Sequence, residues 1–205
     1  MVKMIKKLFY FLVFILLSCG NDDSSEVEND FKGYYKIKSI HSETPIDLNN
    51  DNIKSQDYLQ EIKSDFIQHD GEVMNYGYNP NDLSYYADVR PLSHQTNAAK
   101  MISFNFPVQV IDSLFMGNDT YINILLHYKT IFSYVGYELL NNGEVHLDNA
   151  SLEYVFNFNN ANFVHFKRTN QTTFELVLEK EVYDFSEENW INTRLTSVYE
   201  KVELE

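Results

Sequence analysis

Residues 102–110 read ISFNFPVQV. Ile102, Phe104, Phe106, Val108 and Val110 fall on alternate positions, with Ser103, Asn105, Pro107 and Gln109 between them. Side chains of a strand point to opposite faces in turn, so a period of two over nine residues predicts a half-buried β-strand. The five apolar residues are expected in the core and the polar ones in solvent. Pro107 donates no ladder hydrogen bond, which predicts an edge or a bulge.

The same alternation recurs along the chain. It is visible in YYKIKSI (34–40), EVMNYGY (72–78), LSYYADV (83–89), YINILLHY (121–128), LEYVFNF (152–158) and FVHFKR (163–168). TFELVLEKEVY (173–183) and TRLTSVYEKV (193–202) complete the set, the former with Phe174, Leu176 and Leu178 on the expected core face. NPND, MGND, NNGE, NNAN and TNQT separate these runs as turn formers. Asn-Asn-Gly within ELLNNGEVHL predicts a hairpin, and FNFNNANFVHF reads as another. About nine strands, mostly antiparallel neighbours, predict a sandwich or barrel.

One segment has a different period. SQDYLQEIKSDFI (55–67) places Tyr58, Leu59, Ile62 and Phe66 at helical spacing. Ser55 is the expected N-cap, and Asp57 and Glu61 lie toward the positive helix start. A single short helix over 55–66 is therefore expected after the first strand.

The stretch YYKIKSIHSETPIDLNNDNIKSQDYLQEI, together with the closing RLTSVYEKV, resembles the lipocalin-like lipoproteins of Bacteroidetes. Those open with a strand, an Asp-Leu-Asn-x-Asp-Gly loop and a short Ser/Thr-Asp-Leu-Leu helix. The match covers about 40 of 205 residues. Asn52 stands where the family usually has glycine, and the family's cysteine after the helix is missing. The resemblance implies a small up-and-down barrel and no catalytic residues. The expected fold is thus all-β: an antiparallel barrel of roughly eight to ten strands with one short helix after the first strand.

The first thirty residues are read separately. Lys3, Lys6 and Lys7 precede an apolar run over 8–17, which is too short for the roughly 20 apolar residues of a membrane span. The pattern is that of a secretory signal. Leu16-Leu17-Ser18-Cys19 resembles a bacterial lipobox, and Cys19 is the only cysteine. The resemblance implies cleavage before Cys19 and acylation of its thiol and new amino group. Two or more acyl chains anchor stably where one does not. Residues 1–18 are the expected signal peptide, 19–30 an acidic tether unable to bury enough surface to order itself, and 31–205 the barrel domain. The tether also resembles the surface-export signals of Bacteroidetes lipoproteins. The expected location is the outer membrane of a Gram-negative bacterium, facing the periplasm or the exterior.

Sixteen Lys+Arg against 30 Asp+Glu give a formal net charge of −14. Loss of the three leader lysines leaves 13 basic residues and a charge near −17. Nucleic-acid binding needs a basic footprint, which this composition excludes. The membrane link is the lipid, and surplus acid suits divalent cations.

The best candidate site is the loop DLNNDNIKS (47–55). Asp47, Asn49 and Asp51 occupy positions 1, 3 and 5 of an EF-hand-like run, with the carbonyl of Ile53 at position 7. Asn52 sits at the sharp turn, where Asn tolerates the left-handed conformation. Position 12 is Tyr58 in place of the bidentate Glu. Asp57 or Glu61 could take that place only if the helix starts differently, and Asp57 is the one expected to complete a calcium shell. The alternative is a polar Asx-turn that caps the helix.

Other chemistry is sparse. His41, His69, His94, His127, His146 and His165 are too scattered for a local metal pair. Gly-x-Ser-x-Gly, His-Glu-x-x-His and phosphate-loop patterns do not occur. Tyr34-Tyr35, Tyr76, Tyr78 and Tyr85-Tyr86 can stack on sugars or serve as core and rim. Asp112-Ser113-Leu114 resembles the O-glycosylation triplet of Bacteroidetes. The leading expectation is a binding module for a small or glycan-type ligand in the barrel's lumen or mouth. The second is a structural or interaction lipoprotein with a filled barrel and a protein partner. The third is a hydrolase. Bulky inward residues would mark a filled barrel, and small or polar ones a cavity.

Overall fold

The structure is a computed structural model that describes residues 31–63, 68–69, 72–73, 78–91, 99–107, 109, 112–116, 119–123, 134–157 and 161–204. The long strands are β1 (Gly33–Ile46), β12 (Thr173–Asp184) and β13 (Asn189–Val202). The first is followed by β2 (Ser55–Asp57), α1 (Tyr58–Lys63), β3 (Gln68–His69) and β4 (Glu72–Val73). Then come β5 (Ala87–Arg90), β6 (Met101–Ser103), β7 (Asp112–Met116), β8 (Asp119–Asn123), β9 (Tyr134–Leu139) and β10 (Val145–Leu147). Finally α2 (Asn149–Asn157) leads to β11 (Ala161–Arg168).

Eight strands lie in the order β10-β9-β6-β5-β1-β13-β12-β11 and form a nearly closed antiparallel barrel. The hairpins β3–β4 and β7–β8 stand outside that order, and β2 pairs with β1. The first and last strands lie side by side, from Tyr34 opposite Val202 to Ser42 opposite Leu195, with a bulge between Ile37 and Ser39. β12 and β13 pair without interruption from Thr173–Glu200 to Asp184–Asn189. The helix α2 packs on β9 and β11, and the end strands β10 and β11 touch without pairing.

Alternation along these strands fills the interior. Phe174, Leu176 and Leu178 of β12 are buried as expected. Phe174 stacks on Tyr199 with centroids 4.7 Å apart and lies 4.8 Å from Tyr35. Phe104 meets Phe174 edge-on at 6.1 Å, and Phe31 meets Tyr137 edge-on at 5.4 Å. Such ring pairs add stability beyond the area they bury. The expected Asn-Asn-Gly hairpin joins β9 to β10: Gly143 has φ +82°, a conformation that glycine adopts without strain, and its N–H donates to the Leu140 carbonyl.

Three expectations are corrected. The strand over 102–110 ends at Ser103. Ile102, Phe104 and Phe106 are buried, but so are Ser103, Asn105, Pro107 and Gln109. Their side chains replace ladder bonds, Asn105 Nδ2 donating to the Tyr86 carbonyl and Gln109 bonding Tyr183. Val108 and Val110 lie outside the described residues. Second, residues 149–157 are helical, so the expected strand at 152–158 and its hairpin are replaced by α2. Asp148 starts that helix by accepting the Ser151 N–H at 3.0 Å. Third, the helix after β1 starts at Tyr58 and not at Ser55, because Ser55 to Asp57 pair with β1. The cap is Asp57, whose Oδ1 accepts the Gln60 N–H, and not Ser55. Phe66 lies outside the described residues.

Candidate functional site

The chain leaves β1 at Ile46 and turns through residues 47–54 before β2. The turn is sharp because Asn50 and Asn52 take left-handed conformations, φ +60° and +64°. Side-chain oxygens knit the loop. Asn52 N–H donates to Asp47 Oδ2 at 3.0 Å, Asp51 N–H to Asn49 Oδ1 at 3.0 Å, and Ile53 N–H to Asp51 Oδ1 at 2.8 Å. Asn49 Nδ2 donates to Asp51 Oδ2 at 3.1 Å.

Two distant elements close on this loop. Glu61, one turn into α1, accepts the Leu48 N–H on Oε2 at 3.0 Å. The turn after β12 donates the Phe185 N–H to the Asp47 carbonyl at 2.9 Å. Asp184, the last residue of β12, lies 3.2 Å from Lys54 Nζ, which also reaches Glu187 Oε1 at 2.5 Å. Asp184 Oδ1 accepts from Ser186 Oγ at 2.7 Å.

Burial makes these acids unusual. Asp47 is 0% exposed, Asp184 1% and Glu61 3%. Burial pushes the Glu61 carboxyl up to about 7, helped by the negative charges of Asp51, Asp47 and Asp184 and opposed by the Leu48 N–H. Burial also pushes Asp184 up, but Ser186 and Lys54 outweigh it and hold its carboxyl below the usual range. Asp47 Oδ1 is buried and accepts no hydrogen bond.

The residues singled out from sequence are thus partly gathered. Asp47, Asn49 and Asp51 share the loop. Ile53 is 65% exposed, with its N–H given to Asp51. Asp57 is exposed and occupied as the cap of α1. Glu61 and Asp184 join the site from elsewhere. Glu61 was legible as an acid of the first helical turn; Asp184 carries no local signal. Among the described residues no three His, Cys, Asp or Glu side chains already stand in a metal-holding arrangement. A raised carboxyl pKa is a mark of general acids. Asp47 and Glu61 are nevertheless buried within the fold.

Other candidates disperse. His146 faces Glu144 and His165 faces Glu175, at 3.4 and 3.5 Å, on the surface. His94, His127, Tyr76 and Cys19 lie outside the described residues. Tyr35, Tyr78 and Tyr85 are core residues, the last two with ring centroids 5.0 Å apart.

A groove of about 580 Å³ lies beside β1, lined among others by Lys36, Lys38, Leu59, Gln60, Tyr78 and Glu200. β1 pairs with β5 over residues 33–35 and with β2 at His41 and Ile46. The groove runs along the stretch between. Compared with known proteins, the chain matches no family model, no curated protein and no solved structure.

Proposed function

We propose that the chain is an exported lipoprotein, anchored through Cys19, whose barrel is a packed scaffold that binds on its outside. The observation that carries this reading is the filling of the lumen. An eight-stranded barrel has room for side chains or for one small ligand, and here the rings of Phe31, Tyr35, Phe104, Phe174 and Tyr199 occupy the interior. The positive leader, the lone cysteine and the acidic tether support export and anchoring at an outer membrane.

A small or glycan-type ligand has a place in this reading only in the groove beside β1. Its volume falls within the roughly 300–1,000 Å³ of small-molecule sites. Lys36, Gln60 and Glu200 set polar groups beside Leu59 and Tyr78 there.

The test is a fluorescence titration of the full chain with N-phenyl-1-naphthylamine. A filled barrel gives no saturable enhancement, or one that Leu59→Glu removes from the groove. Saturable one-to-one binding that survives Leu59→Glu would place the ligand in the lumen and overturn the reading.

A further inference from the structure

We propose that the loop between β1 and β2 is a calcium site centred on Asp47 Oδ1, completed by Asp51, Asn49 and Glu61 and not by Asp57. Its footing is separate from the packing of the lumen.

The first support is an orphaned atom. Asp47 is 0% exposed, and its Oδ1 has no hydrogen-bond partner. Buried polar atoms are as a rule satisfied, and an exception asks for an explanation such as an ion.

The second support is the position of the nearest described cation. Among the described residues, Lys54 lies 3.2 Å from Asp184 and 2.5 Å from Glu187, which sets it on the Asp184 side of the loop.

The donor set selects the ion. Every candidate ligand is an oxygen, which suits a hard cation and not zinc, whose sites draw on His and Cys. The run of Asp47, Asn49 and Asp51 on alternate positions, with a left-handed residue at position 6, is the order in which an EF-hand loop presents oxygens. Magnesium demands near-octahedral ligands and keeps several waters, whereas calcium accepts irregular shells of six to eight oxygens. A mixed set drawn from one loop and one helix fits calcium. Loop N–H groups hold Asp47 Oδ2 and Glu61 Oε2, so the outer contacts that orient ligands are in place. Asp57, engaged at the helix cap and exposed, stands apart.

The experiment uses the full chain, stripped with EGTA and titrated calorimetrically with calcium chloride or magnesium chloride. One calcium per chain should bind, with Kd on the order of 10⁻⁴ to 10⁻³ M as in extracellular modules, and magnesium should bind more weakly. Asp47→Asn should weaken calcium by about tenfold or more, and Glu181→Gln, on an exposed part of β12, should leave it unchanged. If circular dichroism shows that Asp47→Asn does not fold, Asp51→Asn gives the same readout from the exposed part of the loop. No saturable calcium heat, or a loss of binding in Asp57→Asn with Asp47→Asn unaffected, would overturn the proposal.

Discussion

Gln109 bonds both backbone groups of Tyr183 through one side-chain amide: its Oε1 accepts the Tyr183 N–H at 2.7 Å and its Nε2 donates to the Tyr183 carbonyl at 3.0 Å. The amide thereby stands in for a neighbouring strand at the far end of β12. Gln109→Ala removes both partners and strands two backbone groups, each costing roughly 1–3 kcal/mol when buried. The expected loss is about 2–4 kcal/mol in urea unfolding. A loss under about 0.5 kcal/mol would show that water replaces the amide without penalty.

Phe174 is fully buried and touches Phe31, Tyr35, Phe104, Phe166 and Tyr199. Phe174→Ala should cost about 3–5 kcal/mol in the same assay, through lost transfer energy and the cavity left behind. Trp190, 46% exposed at the start of β13, should cost far less on the same change. Similar losses at both positions would contradict the placement of the core.

Burial pushes the Tyr58 and Tyr199 hydroxyls well above the usual phenol range, and those of Tyr78 and Tyr85 up to about 12. Each is neutral when protonated and has a folded pKa above the unfolded value of about 10. Their stabilising contribution is therefore complete below about pH 10 and is lost as pH rises toward the folded values. The loss approaches 1.4 kcal/mol per pH unit for each tyrosine. Lys180, whose pKa burial lowers, acts in the opposite sense to these four tyrosines. Unfolding free energies at pH 9, 10 and 11 should fall steeply above pH 10, and a flat profile would show these hydroxyls to be solvated.

Cys19→Ser removes the only thiol. Fractionated cells should show the wild-type chain with the membranes and the variant as an unprocessed precursor or a soluble form. A variant that matures and stays with the membranes would refute lipid anchoring.

Burial was easier to read from the sequence than hydrogen bonding was. Alternation in ISFNFPVQV located Ile102, Phe104 and Phe106 in the core, yet it implied a polar face that does not exist. Ser103, Asn105 and Gln109 are buried because their side chains bond backbone groups brought from Tyr86 and Tyr183. No local pattern announces such partners. LEYVFNF alternates as a strand would, and the cue it hides is the Asp148 cap that starts α2. The Asn-Asn-Gly hairpin was legible because a left-handed turn needs its glycine at one place. In the candidate site, Asp47, Asn49 and Asp51 were readable as neighbours on one loop. Asp184 was not, because the end of β12 meets that loop only after the barrel has wrapped.

The central claim is that the lumen is solid, and an aromatic NMR measurement on the full chain tests it most directly. The account predicts cross-peaks from the Phe174 ring to the Tyr199 and Tyr35 rings, at centroid separations of 4.7 and 4.8 Å, with no cross-peaks to water. Absent ring contacts together with water cross-peaks on Phe174 would reveal a solvent-filled cavity and contradict it.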